Sequence, residues 1–264
     1  MSSLVVKCDL DFLQVGDKLF RMDIGMPTTS NPDQPPLSFT EGKKIYGGDR
    51  IQVYLGKLLQ EGKESVDVVM KVDFCNARHG DLVQEAKYYE TQAKALQGKT
   101  VPLFYGIYSA TIEHQLITGL VLEYCGEPME TSLEEASEIF SFEVAKLLMA
   151  LHSASLQHND ITEGNIVVKD GVPRLIDLGT ATLHDCKRTK PIKLDEERPS
   201  MLEFGCRELH NFASQQGIWE PTMTPHDLIE TEDGRKRIES EAREILKYLG
   251  IGETLSQGKS EKVL

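Results

Sequence analysis

The dipeptide Asp170-Gly171, set between IVVK and VPRLID, constrains the local geometry of this chain more than any other pair. Asp-Gly is a strong two-residue turn between apolar runs and predicts a β-hairpin. With these two residues at the centre of the turn, Lys169 faces Val172. Counting outward, Asp177 lies opposite Gly164, beside Asn165. The segment before the hairpin, QHNDITEGN, sets His158, Asp160 and Asn165 in the spacing H-x-D-x-x-x-x-N, and Asp177 follows twelve residues later within LIDLG. Two oxygen-bearing side chains are thus expected at the open end of one hairpin. Hard divalent cations such as Mg²⁺ favour that arrangement, filling their remaining positions with water and phosphate. Asp160, on the loop entering the hairpin, is close enough in sequence to act on a hydroxyl held beside the metal.

The residues upstream read mostly as strands. Short apolar groups in 4–24 predict a strand pair, and MPTTSNPDQPP after them is turn chemistry with four prolines. KKIYGGDRIQVYLGKLL and ESVDVVMKVDF predict strands around a Gly-Gly turn. In the second, Val66, Val68, Met70 and Val72 share one face, and Val69, Lys71 and Asp73 share the other. Leu82, Ala86, Tyr89, Ala93 and Leu96 recur at helical spacing, with Gly98 as a stop. VPLFYGIYS and HQLITGLVLEYC predict two more strands. Residues 134–155 predict an amphipathic helix burying Phe140, Val144, Leu147, Leu148 and Leu151. TATLHDCKRTKPIKLDEERPS is polar and irregular, MLEFGCRELHNFASQQGIW reads as one helix, residues 230–249 as a charged helix, and the tail as flexible.

Composition then excludes some classes. The 264 residues carry a formal net charge of -13, which argues against gripping nucleic acid phosphates. No apolar run is long enough to span a bilayer, and MSSLVVKCDLDF has no signal-peptide pattern, so neither a nucleic acid nor a membrane partner is expected. Five widely spaced cysteines without C-x-x-C fit reduced thiols in a cytoplasmic or nuclear compartment.

The motifs together resemble those of the eukaryotic protein-kinase superfamily, and more closely its short, divergent fungal protein-kinase-like members. The resemblance rests on LQGKTVPLFYG, LVLEYCGEPM, LHSASLQHNDITEGN and LIDLG, and covers residues 43–212. It implies an α+β fold of two lobes, a small antiparallel-sheet N-lobe and a reduced helical C-lobe, with ATP and Mg²⁺ between them. It divides the chain into an N-terminal accessory segment (1–42), an N-lobe and hinge (43–126), a truncated C-lobe (127–220), and a charged helix with a flexible tail (221–264). By the same resemblance, Lys71 in VVMK holds the α- and β-phosphates. Its carboxylate partner is Glu85, with Glu90 in reserve. Gly48 belongs to the phosphate loop, Val53 and Val69 lie over adenine, and Glu123 and Cys125 meet the base through their backbone. Asp160 matches the catalytic base, Asn165 and Asp177 match the metal ligands, and His158 matches a structural histidine.

The pattern departs from the family in several places. Tyr46, Gly48 and Ile51 stand at the three glycine positions of the phosphate loop, which weakens its hold on nucleotide. Asn159 replaces the frequent Arg, Thr162 replaces the frequent Lys, and no Ala-Pro-Glu follows Asp177. The leading expectation is an ATP-dependent phosphotransferase acting on a Ser or Thr hydroxyl of an unidentified protein substrate or partner. Two alternatives stay open: a pseudokinase scaffold, and a small-molecule kinase of the aminoglycoside or choline type.

Overall fold

The computed structural model describes residues 3–24, 35–48, 50–74 and 80–219, together with residues 236, 239, 240, 242 and 243. Residues 25–34 of the Pro-rich segment, Cys75, most of the segment expected as a charged helix and the tail lie outside them. By internal contacts the chain divides into two units, 1–136 with 146–185, and 137–145 with 186–264.

In the first unit, seven strands among the described residues close into a barrel. They are β1 (Ser3–Val6), β2 (Lys18–Arg21), β3 (Leu37–Gly47), β4 (Ile51–Leu59), β5 (Val66–Asp73), β6 (Phe104–Ile112) and β7 (Gln115–Glu123), in the order β1-β2-β6-β7-β5-β4-β3. All neighbours are antiparallel except β1 and β3, which run parallel with Leu4 opposite Leu37. Alternation fills the interior. Leu4, Leu19, Phe39, Tyr54, Leu58, Val68, Met70, Val72, Tyr108, Ile117 and Val121 form one buried cluster. Each such side chain contributes about 1.5–3 kcal/mol by leaving water.

This architecture corrects the expected fold class. The chain does not form a two-lobed, protein-kinase-like α+β arrangement with a small open sheet and a helical C-lobe. A five-stranded sheet of β3 to β7 would leave two edges unpaired. The strand pair in residues 4–24 joins those edges, β1 to β3 and β2 to β6, and turns a sheet into a ring.

Helix α1 (Gly80–Glu90) contacts β6 and β7. Asp81 in its first turn complements the helix dipole. Leu82, Glu85, Ala86 and Tyr89 form its fully buried stripe. The helix ends at Glu90, earlier than the periodicity predicts. The Thr91 hydroxyl donates to the Lys87 carbonyl (2.6 Å), the Ala93 amide reaches back to Tyr88, and a short 3₁₀ turn at Lys94–Leu96 follows. Strands β8 (Glu127–Pro128), β10 (Ile166–Lys169) and β11 (Val172–Leu175) form a small sheet, and β9 (Leu156–Gln157) pairs with β12 (Thr182–Leu183). Lys169 pairs with Val172 as the turn chemistry dictates. Helix α2 (Glu138–Ser153) buries Val144, Leu148 and Leu151.

Gly126, between β7 and β8, has φ +108°, and a Cβ there would stand 2.0 Å from the Val168 carbonyl oxygen. Gly126→Ala must therefore push β8 from β10 as well as strain its own backbone. It should cost at least ~1–3 kcal/mol, read as a lowered denaturation midpoint.

In the second unit, α3 (Met201–Phe204) and α4 (Arg207–Gln215) replace the single helix expected over 201–219. Gly205 breaks it: its φ of +80° is a left-handed helix end, and its amide closes on the Met201 carbonyl. Phe204, His210 and Trp219 pack against one another in this unit, Phe204 edge-on to Trp219 and His210 tilted against both. Residues 239 and 243 are helical, with an exposed Arg243–Glu239 pair. Among the described residues no helix is long and apolar enough to cross a membrane.

Candidate functional site

Inside the first unit, strand alternation turns Val68, Met70 and Val72 into the barrel and leaves Val69, Lys71 and Asp73 on its outer face. The Lys71 ammonium donates to Glu85 Oε2 at 2.9 Å and to Asp177 Oδ1 at 3.0 Å. Glu85 reaches Lys71 because it lies on the buried stripe of α1. Glu90 pairs instead with Arg21 at 3.1 Å. Exposure grades this trio: 1% for the Glu85 side chain, 13% for Lys71 and 46% for Asp177. Burial pushes the Glu85 carboxyl up, although the Lys71 charge pulls against it. Burial also works to lower the Lys71 ammonium, but the charges of Glu85 and Asp177 outweigh it and hold Lys71 above the ordinary lysine value. At Asp177 burial is overcome by the Lys71 charge and hydrogen bond, the Gly179 amide and His158, so its carboxyl sits below the usual range. Asp177 is therefore an anion held ready at a half-exposed position.

Asp177 owes its direction to its backbone. It adopts φ 64°, left-handed, and caps a short 3₁₀ turn (Leu178–Thr180) by accepting from the Gly179 amide at 3.3 Å. Aspartate tolerates that conformation better than most residues. A Cβ on Gly179 would stand 3.1 Å from Asp177 Oδ1, so the position favours glycine.

The second group is on the loop before β10. The Asn165 amide nitrogen donates to both the backbone oxygen and Oδ2 of Asp160, each at 2.9 Å. Asp160 is exposed. A ring nitrogen of the fully buried His158 donates to the Ile176 carbonyl (3.0 Å), and the Ile176 amide donates to the Asn165 carbonyl (3.0 Å). Ile176, adjacent to Asp177, thus ties the segment after β11 to both His158 and Asn165. Asn159, at φ 68°, adds bonds to the Thr180 carbonyl (2.9 Å) and the Thr182 hydroxyl (3.0 Å).

The remaining residues fall around Lys71. Val53 pairs directly with Lys71, and Leu55 with Val69, so these half-buried aliphatic side chains share its face. The Gly48 amide donates to the Ile51 carbonyl at 3.0 Å and closes the β3–β4 turn. The amides of Glu123 and Tyr124 are taken by the Leu103 and Asp67 carbonyls, and the Glu123 carboxylate accepts from the Leu103 amide. Cys125 is buried, and its thiol is pushed up to about 12 by burial and by Glu123.

Sequence reasoning missed Arg50. Its Nη2 lies 2.7 Å from Asp81 Oδ2, and its Nε lies 3.5 Å from Oδ2 of the fully buried Asp73. The signal was available in the alternation that puts Asp73 on the Lys71 face, and in the i, i+4 spacing of Asp81 and Glu85.

No protein-family model matches the sequence, and comparison with curated proteins finds no match. Together with the closed barrel, this corrects the family resemblance drawn from the motifs: membership in the protein-kinase superfamily, or in its fungal branch, is not supported.

Proposed function

We propose that this chain is a phosphotransferase that binds ATP with Mg²⁺ and passes the γ-phosphoryl group to a hydroxyl acceptor such as that of Ser or Thr. The observation that carries the reading is the placement of a charged lysine between a buried and a half-exposed carboxylate, beside an exposed Asp held by an Asn. Buried charges held by a specific charged partner cluster at functional sites.

The donor set fits a hard cation. Asn165 spends its amide nitrogen on Asp160, which leaves its Oδ1 as an acceptor, and Asp177 offers a low-pKa carboxylate. Asn165 and Asp177 would hold Mg²⁺, which when bound neutralises charge on the phosphate oxygens. Lys71, steadied by Glu85, presents its ammonium to the phosphates. Val53, Leu55 and Val69 offer an apolar surface to the base, and the Cys125 main chain meets the base edge. Asp160 orients the acceptor hydroxyl and takes its proton as that oxygen bonds to the γ-phosphorus. The bond from γ-phosphorus to the bridging oxygen breaks, and ADP leaves with the electron pair. The four described cysteines are free thiols, which supports a cytoplasmic or nuclear setting.

One observation favours a second reading, a nucleotide-binding scaffold without turnover. The β3–β4 turn spends the Gly48 amide on Ile51, and the end of β3 before it presents Tyr46 to solvent, a poor cradle for phosphate. Lys71 tests the shared part of both readings. Lys71→Met alone strands the buried Glu85 carboxylate, which costs stability. The double variant Lys71→Met/Glu85→Gln removes both charges at nearly constant shape. By calorimetry its Mg²⁺–ATP affinity should fall roughly ten- to a hundredfold, the loss of one charge-assisted contact. An unchanged affinity would mean that nucleotide does not meet Lys71.

A further inference from the structure

We infer that Arg50 is a second phosphate-contacting cation of the candidate site, with Asp81 as the carboxylate that competes for it. The inference rests on the nucleotide-binding reading above. Its basis is a two-rung ladder of ion pairs on one face of β5. Asp73 and Lys71 are two residues apart on that strand, about 6.6 Å along it. Asp81 and Glu85 are four residues apart on α1, about 6 Å along its axis. The spacings match. The lower rung is Lys71 with Glu85 at 2.9 Å, and the upper rung is Arg50 with Asp73 and Asp81. Ile51, next to Arg50, pairs with Asp73 and Val53 with Lys71, so the strand leads from Arg50 along the same face toward the lysine.

The two carboxylates described on Arg50 differ in kind. Asp73 is fully buried and faces the Nε side of the guanidinium, whereas the Asp81 side chain is 53% exposed and takes Nη2. A planar guanidinium can keep one edge on a buried anchor while its other edge exchanges one oxyanion for another. An exposed pair is worth little, so a multiply charged phosphate outcompetes Asp81. Such a contact also supplies what the turn lacks, since its Gly48 amide is already committed to Ile51. The selectivity implied is for a nucleoside polyphosphate over the nucleoside.

The experiment measures ATP and adenosine binding, with Mg²⁺, to the full chain as wild type, Arg50→Lys and Asp81→Asn. Arg50→Lys keeps a cation beside Asp73, so the fold is preserved, but loses the fork. ATP should bind it about tenfold more weakly, with adenosine unchanged. Asp81→Asn removes the competitor at the surface and should tighten ATP about two- to fivefold. The opposite signs are the signature. If both substitutions weaken ATP alike, or shift ATP and adenosine together, Arg50 is only a brace between β5 and α1 and the inference is wrong. Wild-type binding of ATP with no change in either variant also overturns it while sparing the proposed function. A wild type that binds no ATP removes both.

Discussion

Asp160→Asn should leave Mg²⁺–ATP binding nearly unchanged and slow phosphoryl transfer by ~10²–10⁴, the usual contribution of a positioned general base. The side chain is exposed, and its one side-chain hydrogen bond described is from Asn165. An amide of the same shape can still accept that bond, so the loop keeps its form. What it cannot do is take a proton from the acceptor hydroxyl. ATP belongs to Lys71, Asn165 and Asp177 in this scheme, and none of them loses a charge. Slow ATP hydrolysis reports the same chemistry without a known acceptor. Wild-type hydrolysis no faster than the variant's, alongside demonstrated Mg²⁺–ATP binding, would sink the enzyme reading and leave the scaffold.

Asp177→Asn should abolish the Mg²⁺-dependent part of nucleotide binding. The neutral amide can still accept from the Gly179 amide, so the left-handed cap at Leu178–Thr180 survives. Two things are lost. A hard anionic oxygen no longer faces the metal, and Lys71 keeps Glu85 as its one remaining counter-charge in the trio. Affinity for ATP with Mg²⁺ should fall at least ~10-fold, to the value measured for wild type in a chelator. The same Mg²⁺ enhancement in variant and wild type would show that the metal, if bound, is held elsewhere.

Local chemistry in this sequence was legible where a few adjacent residues decide the geometry. Asp170-Gly171 set the β10–β11 register, and alternation in VDVVMKVD put Lys71 outside the barrel. Barrel closure was not legible. It depends on parallel pairing of β1 with β3 across the Pro-rich segment, and nothing local in SLVV or LSFT specifies a parallel partner. The motifs were read as belonging to a familiar two-lobed fold, and that inference outran them, because a handful of site residues constrains chemistry more tightly than architecture. Gly205 is a different kind of miss. A glycine after MLEF is an ordinary helix stop, yet the apolar spacing over 201–219 masked it. At the site, the choice between Glu85 and Glu90 was beyond periodicity, since both border the same stripe. Burial separates them: Glu85 lies under Lys71, and Glu90 answers Arg21.

The parallel seam between β1 and β3 also governs how this chain meets its own copies. A sheet edge offers unpaired amides and carbonyls that template association with another strand. Here every stave has two neighbours, and β1 takes up the backbone of β3 at Leu37–Phe39. That protection hangs on two four-residue strands near the start of the chain. Fraying of Ser3–Val6 would uncover the backbone of Leu37–Phe39, on a strand whose far end carries the solvent-facing Ile45 and Tyr46. The resistance of the barrel to pairing with its own copies is thus delegated to β1 and β2.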